Sequence, residues 1–212
     1  MKKENQKLFV VAGVFMAAFV LWTVLLCFVD VRPIGPADSM VGFSALNSFV
    51  HKLTGVHMAL YILTDWLGLV PLLTAAGFGL LGLVQWIQRK QLIKVDRSIL
   101  VLGGFYGVTM VVFLFFEICV INCRPVLIDG VLEASYPSST TLLVLCVMPT
   151  ALMQLRHRVK KPLLREGISL LIIVFLLFMV ISRLISGVHW ITDIIGGLLL
   201  STGLVALYRA LA

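Results

Sequence analysis

The sequence predicts an all-α membrane protein, a bundle of six transmembrane helices with one short amphipathic helix after the first span. Sixty per cent of its 212 residues are hydrophobic and only 13% are charged, and the mean hydropathy is +1.08. Several apolar runs reach the roughly 20 residues that cross the hydrocarbon core of a bilayer. We therefore predict a single transmembrane domain over residues 1–212.

The formal net charge of +7 does not indicate nucleic-acid binding. The basic residues stand at the ends of apolar runs, where they set the orientation of the helices in the membrane. The expected partner is instead the lipid bilayer. The sequence makes no prediction of the oligomeric state.

The first predicted span, residues 8–29, follows a short basic segment. Basic residues before an apolar run are also typical of a signal peptide. This run is too long for one and lacks a good cleavage site, so we predict that it is retained as a helix. Between residues 30 and 55, a turn rich in proline and glycine precedes apolar residues at helical spacing. This second pattern predicts an amphipathic helix lying on the membrane surface.

The second span, residues 56–87, contains two residues that are uncommon inside a membrane helix. Pro71 predicts a kink, because proline removes a backbone donor from the helix ladder. Asp65 places a carboxylate within an apolar run. Such a group is either functional or a hydrogen-bonded structural acid near the interface, and the sequence leaves both interpretations open.

Four further spans are predicted over residues 98–121, 137–155, 166–185 and 192–211, with basic loops at 88–97 and 156–165. Pro149 predicts a kink in the fourth span. Loops rich in Lys and Arg stay in the cytoplasm. We therefore expect both termini inside the cell, with residues 122–136 and 182–193 at the extracytoplasmic face of the cell membrane.

A charged segment between the fifth and sixth spans contains Arg183, His189 and Asp193. His189 and Asp193 are four residues apart, so on a helix the carboxylate can hold one imidazole nitrogen and leave the other free to attack. Arg183 offers a planar fork of donors that suits a phosphate. The alternative is a helix-end histidine held by its neighbour, with Arg183 reaching to the interface. Three ionisable groups at a membrane boundary favour function.

Two other segments are expected at the same level of the membrane. Arg124 follows the third span, and Pro137-Ser138-Ser139-Thr140 opens the fourth. The free backbone amides of a helix N-terminus, together with Ser138, suit an anion. Two arginines, a serine, a helix N-terminus and a His–Asp pair are the groups that phosphoryl transfer through a phosphohistidine would need.

These three segments resemble the signature of the type 2 phosphatidic acid phosphatase superfamily, the integral membrane lipid phosphate phosphatases. The third block of that signature is Ser-Arg-(three residues)-Gly-x-His-(three residues)-Asp. This sequence matches it in full with Ser182, Arg183, Gly187, His189 and Asp193. The six spans, with the blocks at the ends of the third to sixth, also resemble the helical bundle of the family.

The resemblance implies a role for each matching residue. His189 is expected to be the nucleophile and Asp193 its orienting partner. The residues expected to hold the phosphoryl oxygens are Arg124, Ser138, Ser139 and Arg183. No metal or other cofactor is expected, since the sequence has no CxxC pair and this chemistry needs none.

The sequence departs from the signature at two positions. The lysine of the first block falls on Glu117, and the Gly-His of the second block falls on Ser139-Thr140. In the family that histidine protonates the leaving oxygen, which a threonine hydroxyl cannot do at neutral pH. General acid catalysis is typically worth roughly 10²–10⁴-fold, so the loss should be worst for an alcohol leaving group.

A lipid diphosphate has a better leaving group than an alcohol. Its leaving group is a phosphate monoester, whose second pKa is about 6, and it can depart as an anion without a proton. We therefore expect a preference for diphosphate lipids such as undecaprenyl diphosphate over phosphatidic acid.

Several alternatives stay open at this stage. Glu117 either forms a salt bridge with Arg124, two helical turns away, or is a desolvated acid that replaces the missing histidine. His51 and His57 flank the second span and are expected to pack at the interface. The expected ligand in either case is a phospholipid or a polyprenyl phosphate. The competing functions are a degenerate member that binds these head groups without turnover and a phosphotransferase that uses His189.

Overall fold

Six helices of the protein are long and apolar enough to cross a membrane. They are seen in a computed structural model that describes residues 2–212. These spans are Lys3–Phe28, Met58–Arg89, Arg97–Ile118, Ser139–Arg158, Pro162–Ile185 and Ile191–Leu211. The predicted all-α fold with six spans is thus confirmed.

Eight α-helices make up the described chain. In order they are α1 (Lys2–Phe28), α2 (Ser44–Thr54), α3 (Met58–Leu67), α4 (Leu69–Arg89), α5 (Arg97–Ile118), α6 (Ser139–Arg158), α7 (Pro162–Ile185) and α8 (Ile191–Leu211). Between α1 and α2 lies a small antiparallel ribbon of β1 (Arg32–Pro33) and β2 (Met40–Val41).

Helix α2 corresponds to the predicted amphipathic helix. Its polar residues Ser44 and Asn47 are buried against the bundle, while its apolar residues Leu46, Phe49 and Leu53 are exposed. A helix that turns its apolar side chains away from the protein suits burial of that face in the membrane interface.

The second span is divided into α3 and α4 at Gly68. The Gly68 N–H donates to the carbonyls of Thr64 and Asp65, both at 3.0 Å, and so ends α3. Pro71 then lies in the first turn of α4, where a helix needs no N–H donor. The predicted interruption is therefore present, but it falls three residues before the proline.

Helices α6 and α8 are the most buried spans, and α1 packs along α8. The starts of α6 and α8 come close together because two glycines of α8 face the beginning of α6. A Cβ at Gly196 would collide with the ring of Tyr136, and one at Gly197 would lie 3.0 Å from the side chain of Thr141. The central core contains Phe19, Leu26, Leu102, Leu142, Cys146, Leu200, Leu204 and Tyr208.

The bundle has two chemically different ends. At one end Asn5 Nδ2 donates to the Ala210 carbonyl at 3.2 Å, and Gln154 Nε2 donates to the Ser98 carbonyl at 3.3 Å. The two predicted basic loops join helices at this end, which we call the basic end. The opposite end, where the Ser138 N–H donates to the Asp193 carbonyl at 3.1 Å, is called the site end.

Candidate active site

The loop between α7 and α8 is shaped by Gly187. Its φ of +68° lies in the left-handed region that glycine adopts without a Cβ penalty. A Cβ at this position would also collide with the carbonyl of Gly55. Glycine is thus required here by the backbone conformation and by the close approach of the α2–α3 junction.

The two histidines that flank the second span hold this loop from outside. His51 Nε2 lies 3.1 Å from the Gly187 carbonyl oxygen, and the His51 ring packs on Trp190 with centroids 5.4 Å apart. The backbone N–H of His57 donates to the Ser186 carbonyl at 2.9 Å. Both histidines therefore support the loop.

His189 and Asp193 meet at the start of α8. His189 precedes α8 and Asp193 is in its first turn. The two residues therefore meet at the N-terminus of the helix and not along one of its faces. Asp193 Oδ2 lies 3.7 Å from His189 Nδ1 and accepts the Trp190 N–H at 2.8 Å. The carboxylate therefore caps α8 while it faces the imidazole.

Ser135 completes this cluster and was missed by the sequence reasoning. Its Oγ lies 3.1 Å from His189 Nδ1 and donates a short hydrogen bond to Asp193 Oδ2. All three side chains are buried. The only signal in the sequence was its place two residues before Pro137, at the edge of the second signature block.

Arg183 is held by helix α3. Its Nη1 donates to Thr64 Oγ1 at 3.2 Å, and its Nη2 lies 3.8 Å from Asp65 Oδ1. The guanidinium carbon also lies 5.0 Å from the centroid of the Tyr61 ring, a distance at which a cation is attracted to the ring face. Asp65 is therefore an acid of the site end, paired with a buried arginine.

Arg124 faces the same tyrosine from the loop after α5. Its guanidinium carbon is 5.6 Å from the Tyr61 centroid, and its Nε is 3.1 Å from Glu133 Oε2. The geometry of this contact is that of an ion pair and not of an aligned hydrogen bond. Because both guanidinium groups lie over one ring, Arg124 and Arg183 belong to one pocket.

Glu117 does not form the salt bridge with Arg124 that the sequence suggested, so this interpretation was wrong. Helix α5 ends at Ile118, so the chain leaves the helical path and Arg124 pairs with Glu133 instead. Glu117 is exposed and lines a small cavity with Ser135 and other residues near the start of α6.

Several buried nitrogen atoms near this region have no hydrogen-bond partner among residues 2–212. They are His189 Nε2, Arg183 Nε, and Arg124 Nε and Nη1. Leaving a buried charged donor unpaired is unfavourable by more than the roughly 1–3 kcal/mol of a neutral one. An anion accepting from the arginine nitrogens would relieve that cost and would lie beside His189 Nε2, which carries no proton to donate when Nδ1 is protonated.

The electrostatics of the pocket keep His189 neutral. Burial, followed by the positive charges of Arg124 and Arg183, lowers the pKa of His189 well below its usual range. Both arginines are thus close enough to act on the imidazole. Since Nδ1 faces Ser135 and Asp193, the remaining nitrogen, Nε2, is the one available as a nucleophile.

The start of α6 joins the cluster through Ser138. Ser138 is buried, and its Oγ accepts from Thr141 Oγ1 at 3.0 Å. Ser139 and Thr140 are half-buried and line a cleft that Asp65 also lines. Of the predicted site residues, the structure therefore gathers His189, Asp193, Arg183, Arg124 and Ser138. Thr140 faces the cleft beside α3.

The six-helix fold is that of an integral membrane protein, and the family to which the chain belongs makes it a phosphoric ester hydrolase. The chain belongs to the PAP2 superfamily, which matches it over residues 105–212, and the resemblance seen in the signature is confirmed. The chain is similar in fold to the first transmembrane PAP2 type phosphatidylglycerolphosphate phosphatase from Bacillus subtilis. The two share 20% identity at a TM-score of 0.52, with 94% of each chain covered. Among curated proteins none matches the chain.

Proposed function

We propose that the protein hydrolyses a phosphate from a membrane lipid phosphate or diphosphate through a phosphohistidine on His189. The main support for this proposal is the environment of the His189 imidazole. His189 Nε2 is buried with no hydrogen-bond partner in the described part of the chain, and burial together with two arginines lowers the pKa of the imidazole. A neutral imidazole beside two cations suits attack on an anionic phosphoryl group.

The first step forms a bond between His189 Nε2 and phosphorus. Arg124, Arg183 and the N-terminus of α6 stabilise the negative charge on the phosphoryl oxygens. The bond from phosphorus to the leaving oxygen breaks, and its electron pair departs with that oxygen. The imidazole keeps its Nδ1 proton and becomes positively charged, which Asp193 stabilises. Water then attacks phosphorus, the bond from phosphorus to Nε2 breaks and its electron pair returns to the neutral imidazole, and the protons of the water leave with inorganic phosphate.

We further propose a preference for polyprenyl diphosphates such as undecaprenyl diphosphate. Thr140 stands where the family signature has its proton-donating histidine, so a leaving group that needs no proton is favoured. A phosphate monoester meets this condition, since its second pKa is about 6.

The site end is proposed to face the outside of the cell. Basic loops favour the cytoplasmic side, and the basic end holds both of them. In a variant without native cysteines, a cysteine at Asp129 should react with a membrane-impermeant maleimide in intact cells, whereas one at Lys160 should not. The reverse labelling pattern would refute this orientation.

Phosphate release from purified protein tests the main proposal. Undecaprenyl diphosphate and phosphatidic acid should be compared in detergent, with the wild type beside His189→Ala. We expect turnover of the diphosphate, loss of turnover in the variant, and acid-labile labelled phosphate trapped on the wild type only. A faster rate on phosphatidic acid would refute the preference, and equal rates for wild type and variant would refute the mechanism.

The alternative function is a lipid-phosphate-binding protein without turnover. The missing lysine at Glu117 and the missing histidine at Thr140 favour it. The carboxylate of Asp193 behind His189 favours the enzyme, because a binding pocket has no need to orient an imidazole. Binding of the diphosphate lipid without phosphate release would support the alternative. Transfer to an added lipid or sugar alcohol would indicate a phosphotransferase.

A further inference from the structure

We propose that Ser135 is the positioning residue through which Asp193 acts on His189, so that the orienting unit is a chain of three side chains. This inference rests on the proposed phosphohistidine chemistry, which needs a free Nε2. Ser135 contacts Nδ1, the imidazole nitrogen that does not react. Its role is therefore to fix which nitrogen of His189 is protonated.

The distances favour the serine over a direct pair. His189 Nδ1 is 3.1 Å from Ser135 Oγ but 3.7 Å from Asp193 Oδ2, which is beyond hydrogen-bond distance. Ser135 Oγ in turn donates to Asp193 Oδ2. The hydroxyl therefore stands between the two groups that the sequence alone would join directly.

The donor and acceptor roles along this chain follow from chemistry. An ionised carboxylate only accepts, so the hydroxyl proton of Ser135 points to Asp193. The lone pairs of Oγ are then left for His189, and they can only accept a proton from Nδ1. Nδ1 must therefore be protonated, which leaves the lone pair of Nε2 free to attack phosphorus.

The surroundings fix the serine in this place. The Ser135 N–H donates to the Asn122 carbonyl at 2.9 Å, and its neighbour Tyr136 donates to or accepts from Thr23 Oγ1 at 2.7 Å. Asp193 Oδ2 is fixed from its other side by the Trp190 N–H. Ser135 and Asp193 are thus each held by a contact with a backbone group that does not involve the His189 side chain.

Unlike a hydrogen bond that only stabilises the fold, the contact of Ser135 with His189 would control which imidazole nitrogen carries the proton. Without the hydroxyl, His189 Nδ1 loses its acceptor and the proton can move to Nε2, which blocks the nucleophile. Loss of the hydrogen-bond partner that orients a metal-bound histidine typically costs about 10- to 100-fold in activity, and we expect an effect of that order here. The arginines that hold the phosphate are untouched, so the effect should fall on kcat and not on KM.

The first test reads the tautomer directly and needs no turnover. Protein labelled with ¹⁵N-histidine is compared by nitrogen NMR as wild type, Ser135→Ala and Ser135→Cys, and the His189 signals are assigned from their loss in His189→Gln. We expect a protonated Nδ1 and a bare Nε2 in the wild type. Ser135→Ala should shift the proton toward Nε2, and Ser135→Cys should lie between the two.

The second test is kinetic, with Ser201→Ala as the matched control. Ser201 is also a buried serine with a hydrogen bond to a carbonyl, that of Gly197 at 2.7 Å, but it lies farther along α8. We expect kcat to fall about 10- to 100-fold in Ser135→Ala with KM little changed, and Ser201→Ala to retain the wild-type kcat.

The two tests separate this inference from the function on which it rests. A wild-type protein without turnover would end the proposed function, while the tautomer measurement would still decide the role of Ser135. If Ser135→Ala keeps both a protonated Nδ1 and the wild-type kcat, then Asp193 reaches His189 directly and the inference is overturned.

Discussion

Arg124 Nε lies 3.1 Å from Glu133 Oε2, and the carboxylate of Glu133 is thereby the counter-ion of an arginine in the proposed phosphate pocket. Asp65 has the same relationship with Arg183 at 3.8 Å. In both pairs the arginine is buried, while the acid side chains are 40% and 61% exposed. A bound phosphoryl group would therefore compete with two partly hydrated carboxylates.

Glu133→Gln should tighten the binding of anions. The substitution removes the counter-ion of Arg124, and a partly exposed ion pair is worth about 0.2–1 kcal/mol. We expect the inhibition constant of inorganic phosphate to fall about 1.5- to 5-fold. Glu166→Gln, which removes an acid at the basic end that lies 3.6 Å from Arg156, should leave this constant unchanged. Weaker inhibition in Glu133→Gln would contradict the interpretation.

Restoring the second signature block should change the substrate preference. The double variant Ser139→Gly with Thr140→His supplies a proton donor at the start of α6, and general acid catalysis is worth about 10²–10⁴-fold. We expect the rate on phosphatidic acid to rise by a large part of that factor, and the rate on undecaprenyl diphosphate to change little. The ratio of the two initial rates is the measurement. An unchanged ratio would mean that proton donation does not limit the monoester reaction.

The acid limb of the pH profile should depend on Arg124. Protonated His189 cannot attack, so activity is lost as the pH falls through the pKa of His189, which burial and two arginines hold below its usual range. Arg124→Gln removes one of these positive charges, so that pKa should rise. We expect the acid limb of kcat/KM to move to higher pH in this variant. Arg158→Gln, at the basic end, should not move it.

Gly187→Ala should destabilise the loop that carries His189. A left-handed conformation costs a residue with a Cβ roughly 1–2 kcal/mol, and the added methyl group would also press on the carbonyl of Gly55. We expect a lower unfolding temperature in detergent together with reduced turnover. Gly167→Ala is the control, since a Cβ there meets nothing within 4 Å. Equal unfolding temperatures for the two variants would contradict this account.

Glu117→Gln decides whether Glu117 replaces the missing proton donor. The side chain is exposed and has no ion pair with Arg124, so we expect the turnover and its pH dependence to stay as in the wild type. A loss of turnover that is largest at low pH and shrinks as the pH rises would instead identify Glu117 as the acid, since the wild-type carboxyl donates a proton only while it is protonated.

The spans and the main site residues could be predicted because their signals are local. Long apolar runs define the helices, and the spacing from Arg183 to Asp193 defines the third block. Ser135 and Glu133 could not be predicted, since both lie in an irregular loop whose path depends on contacts with α8 and α3. The break at Gly68 was placed three residues late because Pro71 is the stronger signal in the sequence, although a first-turn proline leaves the helix intact.

Helix α3, which ends at Gly68, contains a tryptophan whose fluorescence can report on binding in the pocket. One side of α3 contacts the two arginines through Tyr61, Thr64 and Asp65. Trp66, the residue after Asp65, is 70% exposed at the surface of the bundle. An anion that displaces Asp65 should alter the fluorescence of this indole. Ligand titrations could then be followed by the intrinsic emission of the unlabelled protein, with Trp66→Phe, which keeps the other three tryptophans, as the reference for their share of the signal.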